Sequence, residues 1–290
     1  MKKYYNSVLI ILSILLLTIS CKKENELPPT ITLKTDSGYT YDETLVAVGD
    51  TVIIGIVANS NGDVNLTNVT VKVNEEVNYT KGINSENYSF DYIITKSTLE
   101  EELWEFSVTD KNGNSASVTV TLNKDPDSEF GAVNNYPSVI LGGQENDSLG
   151  GFFSFSENTL YNLQAAYNYQ SVIDLVYYYY GSDKNTICSP GANIEAEVFN
   201  SLIDPGSWDT KRTTMFIKTS LSIADYNSIV LDNLLISSYS EANAKRKAKE
   251  LAVNDIYSFK TENGKLGLFL VKSITGAEEG IIEVSIKIQE

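Results

Sequence analysis

The sequence predicts a mainly β protein in which a β-sandwich is followed by a β-rich α+β domain. Apolar and polar residues alternate almost throughout residues 30–124, which is typical of half-buried strands. A stretch rich in proline and acidic residues interrupts this pattern, and strand-like runs then mix with helix-like ones. With 290 residues, 42% of them apolar, the chain is long enough to bury two separate cores.

The first residues have the three-part layout of a secretory signal peptide. Lys2 and Lys3 precede an apolar run at 8–17, and small or polar residues lead to Cys21. The run is about ten residues long, whereas a membrane-spanning helix needs about 20. We therefore expect residues 1–20 to be a signal peptide that is removed on export.

The segment Thr-Ile-Ser-Cys at 18–21 resembles the lipobox of bacterial lipoproteins, although Thr18 stands where that family usually has leucine. The charged residues at 22–26 are similar to the surface-export tag of Bacteroidota lipoproteins. The resemblance implies that Cys21 is lipidated and that residues 21–29 tether the protein to the outer membrane, on its surface or periplasmic face. An ordinary secretory cleavage that leaves Cys21 as a free thiol is the alternative.

Residues 30–124 are expected to form the sandwich. Alternating runs occur at 52–58, 69–73, 88–94, 104–108 and 116–122, with Asn-Gly turns at 61–62 and 112–113. About seven short strands in such a length favour a β-sandwich.

The hairpin at 104–122 resembles the last two strands of bacterial Ig-like and PKD-like modules. It has an aromatic strand, Val-Thr-Asp at 108–110, a Gly-Asn turn and a final strand rich in serine, threonine and valine. The chain lacks the Ig cysteines, and Trp104 lies on the penultimate strand instead of a central one. The resemblance implies a fold for this domain and no activity.

Residues 125–136 are predicted to be a linker because Pro126 cannot continue a strand ladder and three acidic residues surround it. The α+β domain follows at 137–290. Its clearest predicted helix begins with Ser240 as N-cap and runs over 240–251. Other helix-like stretches are at 159–168, 192–203 and 221–230, and strand-like runs are at 138–142, 151–155, 171–180, 213–218, 233–237, 255–260, 265–274 and 281–288.

Two segments of this domain, 177–190 and 259–271, are similar to uncharacterised Bacteroidota-type surface lipoproteins that pair an Ig-like module with a domain of unknown role. That resemblance implies an architecture only.

Composition excludes several functions. The net charge of -16 repels polyphosphate, so nucleic acid is not an expected partner. The chain has no histidine, which removes Ser-His-Asp and Cys-His nucleophiles and HExxH metal sites. With Cys21 acylated, Cys188 has no intrachain partner for a disulfide. We predict no catalytic residues, no metal and no cofactor.

The candidate ligand contacts are aromatic. Trp208 lies in a Pro-Gly turn, where a large ring is less easily explained as part of a strand core, and Tyr178 or Tyr180 would supply a second wall. The alternative for all three is packing inside their own domain.

The expected function is that of a non-enzymatic envelope lipoprotein, whose Ig-like spacer presents a C-terminal interaction domain. Its partners would be the membrane, through the lipid, and a glycan or another envelope protein. A glycan-binding accessory lipoprotein of a polysaccharide-uptake system is the first alternative. A hydrolase that uses two carboxylates is the second, although no motif singles out a pair among the 38 acidic residues.

Overall fold

The computed structural model describes residues 27–62 and 64–290. The predicted signal peptide and the lipidation site Cys21 lie outside the described residues. Within the described part, none of the helices has the length and apolar character that a membrane span requires.

The first domain is an Ig-like sandwich of two sheets. One sheet contains, in spatial order, β1 (Thr30–Leu33), β3 (Thr51–Asn59) and β6 (Asn87–Thr95). The other contains β2 (Thr44–Val46), β8 (Ser115–Lys124), β7 (Glu101–Asp110), β4 (Leu66–Val73) and β5 (Glu76–Ser85). All pairs are antiparallel except β2 with β8.

The alternation of apolar and polar residues along the strands explains which side chains form the core of the sandwich. On β7, Trp104, Phe106 and Val108 are buried, as the period of two predicts, and they face buried residues of β3 such as Ile54 and Ile56. The Trp104 indole nitrogen donates a hydrogen bond to the Glu102 carboxylate at 3.0 Å, so its polar edge is satisfied inside the core.

The second domain contains two five-stranded sheets that pack face to face. In spatial order, the first contains β14 (Met215–Lys218), β16 (Ile256–Lys260), β17 (Leu266–Thr275), β18 (Ile281–Gln289) and β9 (Val133–Gly142). The second contains β11 (Thr159–Tyr161), β10 (Phe152–Ser154), β12 (Leu175–Tyr180), β13 (Lys184–Cys188) and β15 (Lys247–Ala248). Because β9 begins at Val133, the connection between the domains is shorter than the predicted linker 125–136.

Short helical elements cover both outer faces of this pair of sheets. They are α1 (Leu163–Asn168), α2 (Ile223–Ser228) and α3 (Asn233–Ser237), with 3-10 turns at Gln170–Val172, Ala196–Val198, Pro205–Ser207 and Glu241–Asn243. On β12, Tyr177 points into the core between the sheets, whereas Tyr178 points to the outer cluster under α1. The fold class is therefore mainly β, an Ig-like sandwich followed by a β-rich α+β domain.

The helix predicted over 240–251 is wrong. Only the 3-10 turn Glu241–Asn243 forms, and the chain then extends into β15. Lys247 and Lys249 lie two residues apart and both bind Asp183, while Ala248 between them packs into the core. This period of two overrides the helix propensity of an Ala- and Lys-rich stretch.

Two neighbouring predictions in this domain, a helix at 221–230 and a strand at 233–237, have different outcomes. The helix expected within 221–230 is present as α2 and has a capping box between Ser222 and Asp225. The strand expected at 233–237 is wrong, because these residues form α3 and bury Leu235 and Ile236 against β17. A short apolar run does not distinguish a strand from a buried helical turn.

The two domains meet end to end. Thr95 of the sandwich donates its hydroxyl to the backbone oxygen of Gly264, at the β16–β17 turn, over 2.8 Å. Val48 of the sandwich packs in one apolar cluster with Ile236 and Leu266 of the second domain. The contact therefore includes shared core in addition to surface polar groups.

Candidate functional site

Trp208 does not form an exposed binding surface, so that prediction is wrong. Its side chain is only 3% exposed, and its ring lies 5.7 Å from that of Phe152. Its indole nitrogen donates to the backbone oxygen of Ile203 at 2.9 Å. Asp204 caps the 3-10 turn by accepting from the Ser207 backbone N–H at 2.9 Å, and this turn directs the ring back onto β10.

Tyr178 is also unavailable to a ligand. It is fully buried, and its hydroxyl donates to Asp183 at 2.5 Å. Tyr180 is half-buried and packs against the same apolar cluster, so it keeps partial exposure. Of the three predicted contacts, Tyr180 alone reaches the surface, and the structure brings Tyr178 and Trp208 together only as members of a core cluster.

Asp183 is the buried centre of an ionic network. Besides Tyr178, this carboxylate binds the amino groups of Lys247 at 2.9 Å and Lys249 at 2.5 Å. Burial by itself would raise the pKa of Asp183, but the hydrogen bonds from Lys249, Tyr178 and Lys247 lower it below its ordinary value. The network fixes the β12–β13 hairpin to the extended segment that replaces the predicted helix.

Of the cavities lined by both domains, the one beside Trp104 and Tyr239 lies at their junction, and we call it the interdomain cleft. It has a volume of about 210 Å³. Tyr92 and Trp104 contribute rings from the sandwich, and Tyr239 contributes one from the second domain. Other lining residues are Asn78, Ser97, Leu99, Glu102, Ile236, Ser240, Glu241, Lys260 and Leu266. Domain junctions are a common place for ligand sites.

Charges in the interdomain cleft are neutralised in pairs. Glu241 forms an ion pair with Lys260 and accepts the Tyr239 hydroxyl at 3.2 Å. Glu102 forms a buried ion pair with Lys96 at 3.0 Å. The cleft is therefore lined by aromatic rings and hydrogen-bonding groups, and the charges of these two ion pairs cancel.

Sequence reasoning missed this cleft. Trp104 and Tyr239 both line the cleft but belong to different domains. They are far apart in sequence, so no local sequence pattern indicates that they lie close together. Tyr239 directly precedes a segment whose composition indicated a helix. Only the end-to-end contact of the domains places these rings in one cavity.

The comparisons with known proteins give structural neighbours and no family. No family model matches the chain, and no curated protein matches it either. A solved DUF4466 family protein from Parabacteroides merdae is 14% identical, with a TM-score of 0.40 over 90% of this chain and 98% of that chain.

Two further neighbours match about one third of the chain. The fibronectin(III)-like modules of Clostridium thermocellum CbhA are 12% identical, with a TM-score of 0.24 over 33% of this chain and 97% of theirs. The CARDB domain of a Pyrococcus furiosus protein is 17% identical, with a TM-score of 0.25 over 33% and 94%.

Proposed function

We propose that this protein is a non-enzymatic, lipid-anchored envelope protein in which the Ig-like domain acts as a spacer and holds the C-terminal domain away from the membrane for interaction. The anchor is Cys21 and the membrane is the outer membrane. The partner of the C-terminal domain is a glycan or another envelope protein.

The position of the chain entry carries this proposal. The chain enters the sandwich beside Asn59, which pairs with Thr30, and Asn61 donates to the backbone oxygen of Pro28 at 3.2 Å. Thr51, at the opposite end of β3, lies against Gly264 of the second domain. Nine residues of strand separate these ends by about 30 Å. A lipid near the entry point would therefore place the sandwich between the membrane and the C-terminal domain.

The connection between the domains supports a stiff spacer. Asp232 accepts the Gly131 backbone N–H at 2.8 Å and donates its own N–H to the Gly131 oxygen at 3.0 Å. The connecting chain is thus fixed to α3 before β9 begins. A stiff junction preserves the distance that the spacer sets.

The buried carboxylates support a role without catalysis. Each of the following accepts hydrogen bonds from fixed protein groups within the described residues: Glu102, Asp110, Asp174, Asp183 and Asp232. A general acid or base must reach a reacting group, and these side chains are buried under protein.

The anchor is tested by cell fractionation of Cys21→Ser, with Cys188→Ser as the matched control. We expect Cys21→Ser to leave the outer-membrane fraction and to lose acylation, and Cys188→Ser to keep both. Retention of Cys21→Ser in the outer membrane would contradict the anchor.

The spacer is tested by energy transfer from a dye to acceptors in a lipid vesicle, using lipidated protein with Cys188→Ser. A dye on Asn112→Cys marks the β7–β8 turn, at the chain-entry end, and a dye on Glu279→Cys marks the β17–β18 turn, at the far end of the second domain. We expect strong transfer from position 112 and weak transfer from position 279. Equal transfer from both would show that the molecule lies flat on the membrane.

A further inference from the structure

We draw no further inference here: the strongest candidate, the exposed apolar surface patch of Phe130, Val230 and Leu231 beside the chain that connects the two domains, is an unpartnered face, and nothing in the structure shows what covers it.

Discussion

The side-chain amide of Gln289, on β18, joins the two domains by donating to the backbone oxygen of Gly49 in the sandwich at 3.3 Å. The same nitrogen donates to Asp232 at 2.8 Å, and the amide oxygen accepts the Leu266 N–H at 2.8 Å. Gly49 has a φ of 89°, and a Cβ there would lie 2.9 Å from the Gln289 nitrogen. Glycine is therefore required on the sandwich side of this contact.

We predict that Gln289→Ala lowers the free energy of unfolding by about 1–3 kcal/mol, because it removes hydrogen bonds from groups that stay buried. Urea unfolding followed by circular dichroism measures the change. Gln164→Ala, on an exposed face of α1, is the control and should have little effect. Equal stability of the two variants would show that the Gln289 contact contributes nothing.

Trp208→Ala should destabilise the protein by about 3–5 kcal/mol, since it leaves a cavity in a packed aromatic cluster. This outcome is the opposite of what an exposed contact residue would give. Thermal unfolding measures it, and Tyr169→Ala, whose ring is 56% exposed, should change stability far less. A melting temperature unaffected by Trp208→Ala would mean that the ring is not core.

The sequence was informative where structure depends on local periodicity. Alternation located the strand that carries Trp104, and the helix-like stretch predicted at 221–230 contains α2. Prediction failed where a partner distant in sequence decides the outcome: Asp183 keeps Lys247 and its neighbours extended, and Phe152 covers Trp208. The interdomain cleft could not be predicted for the same reason.

Cys188 should be chemically inert in the folded protein. It is fully buried, and burial raises the pKa of its thiol, so little thiolate forms at neutral pH. In Cys21→Ser, where Cys188 is the remaining cysteine, a thiol reagent should react only after denaturant is added. Fast labelling under native conditions would contradict the buried position.

Acid should weaken the protein partly through Asp183. Its folded pKa is below the ordinary value because of hydrogen bonds from Lys249, Tyr178 and Lys247, although burial opposes this shift. Its ionised form therefore stabilises the fold above about pH 4, and that stability is lost as the pH falls further. Asp183→Asn should cost about 3 kcal/mol at pH 7, because it breaks a buried ion pair.

The difference in stability between wild type and Asp183→Asn should therefore shrink as the pH falls below about 4. Asp174 provides a control of opposite sign. Burial raises its pKa in spite of the Arg212 guanidinium at 2.9 Å, so ionisation costs the folded state stability, and this cost disappears as the pH falls through the raised pKa. The stability of the wild type relative to Asp174→Asn should therefore increase as the pH falls towards about 4. Over that range Asp183 is still ionised and its contribution to stability is unchanged. Urea unfolding at a series of pH values separates the two variants, and parallel profiles for both would show that the Asp183 network does not set the acid response.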